Sequence, residues 1–251
     1  MAHPTQHSHS ARNGLLAALS PEDWGHLEPH LEAVELPFDQ TIHVAGSPID
    51  AAFFVETGMV SLIVTLEGGD EVEAGIAGPE GMIGLPLVYG DSRSLNSARV
   101  QMEGTALRIG AAAFRTEMDR SATLRGGLLH YALAFHAQVT LTAACNARHV
   151  IENRLARWLL IAHDRAGSDT FPMTHEFLSI MLGVHRPGVS IAAGILQKAG
   201  LIHYARGRMV IVDRLGLEAA SCECYHTVRD ELTRLLGSGP ATPPAEVSCS
   251  R

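Results

Sequence analysis

No stretch of the chain approaches the eighteen or so consecutive apolar residues that a membrane span requires. The opening MAHPTQHSHS lacks the basic-then-apolar order of a secretory signal. A cytoplasmic protein with no membrane partner is therefore the expectation. Cysteine is scarce: there are four, Cys145, Cys222, Cys224 and Cys249, and none precedes position 145. So few, set toward the C-terminus, do not make a disulfide framework, which suits a reducing compartment. Cys222-x-Cys224-x-His226 has the wrong spacing for a zinc chelate and no second pair accompanies it, so no metal site is expected. The sequence also lacks a GxSxG elbow, a P-loop, a GxGxxG after a strand, and HExxH. The paired acids of its first half fall in hairpin loops, where solvated charge explains them. No catalytic residues, and no enzyme, are expected.

What is present is ordinary in bulk and uneven along the chain. With 46% apolar and 18% charged residues, 251 residues can hold one large or two modest domains with real cores. Positions 148 to 214 carry nine Lys/Arg against five Asp/Glu, a balance of +4; the rest carries ten against twenty-two, or −12, which together give the net −8. A locally basic segment in an acidic chain suits a DNA reader joined to a separate domain.

Within that segment, THEFLSIMLGVHRPGVSIAAGILQKAGLIHYARGRMVIV (Thr174 to Val212) reads as helix, turn, helix and hairpin. Thr174 can cap the first helix, whose apolar Phe177, Leu178, Met181 and Leu182 recur at helical spacing. Gly183 supplies the turn. Arg186-Pro187 opens the second helix, with Val189, Ile195 and Leu196 as its buried stripe, and Gly200 ends it. Two short apolar runs around Arg206-Gly207-Arg208 make a hairpin. This order is a winged helix-turn-helix; a buried helical pair with an ordinary hairpin is the plainer reading of the same pattern.

Upstream, after a polar leader (1–13), two short helices cover Asn13 to Leu19 and Pro21 to Leu31. Brief Val-, Ile- and Phe-rich runs then alternate with glycine up to Ile109, and Glu67-Gly68-Gly69-Asp70 is a hairpin loop. An antiparallel barrel or jelly-roll is expected over 14–118. Leu124, Leu128, Tyr131, Phe135, Val139 and Thr142 then form a heptad-like seam on a long helix, 119–147. That seam can pack on its own β-domain or, in the preferred reading, on a second copy. A DNA-binding domain (148–236) and a disordered tail (237–251) complete an α+β chain.

This order resembles the Crp-Fnr family of bacterial transcription regulators along nearly the whole chain. Thr174 to Val212 carries one part of the resemblance, with Gly183, Val184, Arg186, Val189, Leu196, Leu201 and Ile202 in the family's places. Gly75 to Val100 carries the other, being similar to the turn and phosphate-binding cassette of cyclic-nucleotide domains. The resemblance implies a homodimer that binds palindromic double-stranded DNA, with RNA polymerase as a further partner. It implies an effector pocket at Gly84, Leu85, Arg93, Ser94 and Arg99. In members that bind cyclic AMP, a glutamate follows the glycine matched by Gly84; here Leu85 cannot accept the ribose hydroxyl's bond, a loss of roughly 1–3 kcal/mol. Counted without gaps, the phosphate-pairing arginine falls on Leu95, and Arg93 or Arg99 could substitute only if the loop is realigned, so cyclic AMP is not the expected effector. The N-terminal cysteines that ligate an iron-sulfur centre in the oxygen-sensing branch are missing, which argues for excluding that cluster. His43, His130 and His136 could ligate haem, but lone histidines are more often structural, and haem is not expected.

On the DNA side, Arg186 matches the family's first base-reading arginine, while Pro187 and Ile191 replace a glutamate and a second arginine. A different operator follows. Gly188 and Ser190 lie beside Arg186, and Arg206, Arg208 and Lys198 suit phosphate contacts. The competing reading is a ligand-binding module that regulates a protein partner without touching DNA.

Overall fold

The computed structural model describes residues 11–237; positions 1–10 of the expected leader, the expected tail beyond 237, and Cys249 lie outside them. Residues 11–13 are not a loose leader. Asn13 is fully buried, caps the first helix through Leu15 and Leu16, and donates from Nδ2 to the carbonyls of Val55 and Gly81 at 2.8 and 2.7 Å. After helices α1 (Gly14–Ala17) and α2 (Pro21–Leu27) come strands β1 (Glu32–Leu36), β2 (Thr41–His43), β3 (Ala51–Thr65), β4 (Glu71–Ala77), β5 (Met82–Ile83) and β6 (Ser97–Gly110). They pair antiparallel in the order β1-β6-β3-β4, with β2 on β6 and β5 on β3.

Two of the glycines that separate the apolar runs sit inside strands rather than between them. Gly58, at φ +84, and Gly104 lie where β3 and β6 shift register, between Val55 and Val60. A side chain on either would run into the backbone of the facing strand. They therefore mark bulges that bend two long strands into a barrel wall.

Helix α3 (Ala111–Arg120) stops at Ser121, whose hydroxyl accepts from the Leu124 amide at 2.9 Å and starts α4 (Ala122–Arg148). At 27 residues α4 spans about 40 Å. It runs across the open face of the barrel at short range. Gly75 leaves room for Phe135, whose ring a methyl there would meet at 2.7 Å, and Gly81 leaves room for the Tyr131 ring. Gln138 pins the contact by accepting from the Ile76 amide at 2.6 Å and donating to the Ile76 carbonyl at 3.2 Å. The expected dimer seam is thus largely spoken for. Leu124, Leu128 and Tyr131 are buried and Phe135 is half-buried against the β-domain of the same chain, so this face is not open to a second copy.

Beyond a short extended hinge, the second half contains α5 (Ile151–Ala166), β7 (Thr170–Pro172), α6 (His175–Leu182), α7 (Arg186–Lys198), β8 (Ile202–Ala205), β9 (Arg208–Ile211), α8 (Arg214–Ala220) and α9 (Cys224–Leu236). The hairpin is joined by β7 into a sheet of order β7-β9-β8.

This half shares a core with the barrel: Met59, Ile63, Ile76 and Met102 pack with Trp158, Met181 and Leu182. At its centre lies Glu73, 5% exposed. Trp158 Nε1 donates to its Oε1 at 3.0 Å, and Ser61 Oγ bonds its other oxygen. Burial pushes the Glu73 carboxyl up to about 7, against those two hydrogen bonds and the positive Arg157 and Arg165 nearby. When Glu73 is protonated it can donate to Ser61, freeing the serine hydroxyl to donate to Met181 Sδ, 3.6 Å away on α6.

Two measurements test this packing. Gly81→Ala should lower unfolding free energy by roughly 1–3 kcal/mol in urea denaturation, since Tyr131 must move; Gly25→Ala, mid-helix in open space, should raise it by about 0.5–1 kcal/mol. Equal small effects at both positions would mean that α4 does not need the close approach. For Glu73, a folded-state pKa above the unfolded value favours folding fully below about 4.5, and that contribution, of order 3 kcal/mol, is lost as pH rises through about 7. Stability should therefore fall between pH 5 and 8 in the native protein and stay nearly flat in Glu73→Gln. Parallel pH curves would remove Glu73 from control of the interface.

Candidate DNA interface and effector cavity

Helix α6 is capped by Thr174, whose Oγ1 accepts from the Phe177 amide at 3.1 Å, and it ends at Gly183 in the left-handed region, φ +58. Only a small residue fits there, because Val72 of β4 stands 2.9 Å from where a Cβ would be. The chain then enters α7 through His185, with Pro187 in its first turn. Val189, Ala192, Ala193 and Leu196 are buried. The outer face carries Arg186, Pro187, Ser190 and Ile191, the last 64% exposed.

The expected DNA-contacting residues separate on inspection. Arg186 is exposed at the helix N-terminus, the end that reads base edges in such motifs. Gly188 does not face outward: a Cβ there would point at Ile151 Cδ1, 3.2 Å away, so its place is in the packing of α7 on α5. Ser190 is exposed, but its Oγ bonds His175 Nδ1 at 2.9 Å and the Arg186 carbonyl at 3.2 Å. Lys198 is exposed in the last turn, about 18 Å along the helix from Arg186. On the wing, Arg206 and Gly207 both have positive φ, 51 and 75°, as a two-residue hairpin turn requires. That turn lifts Arg206 and Arg208 into solvent.

The local positive charge is smaller than the sequence count suggests. Arg154 and Arg157 are buried, Arg165 folds onto Glu80, and Arg214 is held by Asp164 and Glu218. Arg148, Arg186, Lys198, Arg206 and Arg208 remain exposed. Sequence reasoning missed His175 and Tyr204, whose rings stack at 4.2 Å between the wing and α6. Burial, with Arg186 adjacent, holds His175 below the ordinary imidazole range, so it stands neutral near pH 7.

A cavity of about 590 Å³ lies between the barrel and α4, within the size range of small-molecule sites. Gly84, Leu85, Arg93 and Ser94 line it, as expected, and so do Tyr131, Phe135 and Val139 from the supposed dimer seam. Arg99 does not: both its terminal nitrogens donate to Glu71, at 2.8 and 3.1 Å. The segment GMIGLPLVY, 81–89, contributes Met82, Leu85, Pro86 and Tyr89 to the wall and no carboxylate. Among the lining residues Asp91 alone is acidic and Arg93 alone is a permanent cation. His43 and His136 also line it, and His130 does not. The His43 Nε2 atom is buried with no hydrogen-bond partner among the described residues, and burial keeps this imidazole below its usual range.

The cysteines depart furthest from expectation. Cys145, Cys222 and Cys224 are buried together, and His149, not His226, joins them; the four potential ligand atoms lie within 4.8 Å of one another. The hydrogen bond from Cys222 draws the Cys145 thiol well below its ordinary range, assisted by Arg157. The expectation of no metal site, and the exclusion of an iron-sulfur centre from the missing N-terminal cysteines, therefore lose their basis. No signal in the spacing could have joined two residues at the end of one helix to two more than seventy positions later.

Comparison with known proteins follows the same division. Residues 33–121 match the cyclic nucleotide-binding domain and residues 153–220 the Crp-like helix-turn-helix domain. No curated protein matches the chain. Among solved structures, a putative transcriptional regulator of the Crp/Fnr family from Eubacterium rectale is 18% identical, covering 80% of this chain and 94% of that one, with a TM-score of 0.65. FixK2 from Bradyrhizobium japonicum is 15% identical over 76% of this chain and 98% of its own, also at 0.65. TTHB099, a CRP-family transcriptional regulator from Thermus thermophilus, is 21% identical over 75% and 96%, at 0.64. These likenesses show the fold. Among the described residues no single helix is long and apolar enough to cross a membrane. With a cyclic nucleotide-binding domain joined by one long helix to a Crp-like helix-turn-helix, the chain belongs to the Crp-Fnr family of transcription regulators.

Proposed function

We propose that the protein is a homodimeric, sequence-specific reader of double-stranded DNA whose β-domain receives a small, largely apolar molecule other than cyclic AMP. The observation that carries the DNA reading is the outer face of α7, where one free arginine stands at the N-terminus among small and apolar side chains. Arg186 suits a bidentate contact to guanine, and Ile191 suits the methyl group of a thymine one turn further on. Arg206 and Arg208 hold phosphates, which fix register without reading sequence.

Support for the dimer comes from the other face of α4. Leu129 and Leu133, one turn apart, are 48% and 51% exposed, and the stripe continues through exposed Thr140 and Ala144. Two such helices packed together would place two recognition helices for half-sites about 34 Å apart. Because α4 also walls the cavity, a ligand that shifts Tyr131 or Phe135 changes that separation. Against cyclic AMP stands the absence of any carboxylate from 81–89 for the ribose. Arg93, which donates to the Gly46 carbonyl at 3.3 Å near the cavity mouth, provides for one anionic group.

Gel-shift titrations with and without cyclic AMP test the proposal. Arg186→Ala should cost about 1–3 kcal/mol on the cognate site and relax preference at one base pair per half-site, whereas Arg208→Ala should weaken all sequences alike and lower the salt slope by about 1. Uniform weakening by both variants would contradict this division. Leu129→Glu with Leu133→Glu should give monomers in sedimentation and reduce operator affinity on the order of 100-fold through lost bivalency. A dimer that survives both substitutions would place the interface elsewhere. Tight operator binding that required cyclic AMP would overturn the effector reading.

A further inference from the structure

The cluster at the junction of α4, α5 and α9 has no part in reading DNA or filling the cavity. Cys145 lies in the last turn of α4, and His149 follows one turn later, immediately past the helix end. Cys222 and Cys224 flank Glu223, the residue that precedes α9. Cys145 Sγ is 3.5 Å from Cys222 Sγ, and Cys224 Sγ is 3.8 Å from His149 Nδ1. A tetrahedral ion with metal–sulfur bonds of about 2.3 Å needs ligand atoms about 3.8 Å apart. The spacing is that of four ligands around one ion. A multi-iron cluster, whose ligands reach different iron atoms, would spread them further.

Two independent features support the assignment. Glu223 places a carboxylate oxygen 3.3 Å from His149 Nε2. With the proton held on Nε2 by that carboxylate, Nδ1 turns its lone pair toward the sulfurs, the arrangement that orients metal-bound histidines. Arg154 and Arg157, the first 7% and the second 5% exposed, each bury an Nε with no hydrogen-bond partner among the described residues. Arg157 lies close enough to Cys145, and Arg154 to Cys145 and Cys222, for their charges to interact. Two buried guanidinium groups favour ionised sulfurs beside them over neutral thiols. Three thiolates, one divalent cation and a neutral imidazole carry a net charge of −1, which those arginines offset.

We propose that Cys145, His149, Cys222 and Cys224 bind a single thiophilic divalent cation, zinc by ligand type and geometry, as a closed four-coordinate site that clamps α9 to the end of α4. The clamp reaches the DNA-binding unit directly, because Arg154, which neutralises it, also donates to the Leu182 carbonyl at the end of α6. Ion binding releases the thiol protons to solvent and involves no change of oxidation state.

The test uses the full chain without a histidine tag, purified under reducing conditions with no added metal. Elemental analysis should return one zinc per chain, released in step with thiol titration by a mercurial reagent. Cobalt substituted for zinc should show tetrahedral d–d bands and a sulfur-to-cobalt charge-transfer band. Both should be lost in Cys145→Ser and Cys222→Ser and retained in Cys249→Ser. Glu223→Gln should keep the spectrum while weakening zinc affinity about 10- to 100-fold. Reduced thiols with no bound metal in the native chain would overturn the proposal, as would iron with acid-labile sulfide or a Cys145–Cys222 disulfide in that preparation. Metal content is read without DNA, so a chain that holds zinc and binds no operator would sink the regulator reading and leave this site standing.

Discussion

The contact on which the remainder depends is the approach of α4 to the barrel. Gly75 and Gly81 remove side chains where Phe135 and Tyr131 must pass, and Gln138 mimics a strand neighbour by both accepting from and donating to Ile76. A helix held this closely turns one wall of the cavity into the same rigid body that leads to the DNA-binding half. Its two faces are thereby divided. One side closes the cavity, and the side with Leu129 and Leu133 is exposed.

Much of this was legible in the sequence, for reasons that can be named. Thr174, Gly183 and Pro187 are local signals of cap, turn and helix start, and local signals survive folding because they act within one turn. The heptad-like spacing of Leu124, Leu128, Tyr131 and Phe135 correctly marked one buried face of a helix. Periodicity states that a face is covered but not by what, and here the cover is the chain's own barrel. Gly58 and Gly104 read as strand ends because a bulge and a turn make the same local demand on the backbone. Arg99 was a plausible anion ligand until Glu71, twenty-eight positions away, proved to hold it. The charge count failed in a similar way, because buried and paired arginines add to a sum without adding to a surface.

Those buried charges organise the second half of the molecule. Glu73 is covered by Trp158 and Ser61 where the two halves meet, and Arg157 lies between it and the cysteine cluster, influencing both. Arg154 connects the cluster to the end of α6. The helix-turn-helix is therefore seated on polar contacts, Ser61 to Met181 and Arg154 to the Leu182 carbonyl, as well as on the shared apolar core.

The central claim is that this architecture reads a two-fold-symmetric DNA sequence without a cyclic nucleotide. Selection of random genomic fragments by the purified protein, in buffer free of nucleotide, tests it most directly. The account predicts enrichment of one palindrome with half-sites one helical turn apart, about 34 Å centre to centre, containing a guanine for Arg186. Recovery of fragments with no shared sequence, or of a palindrome only when cyclic AMP is added, would contradict it.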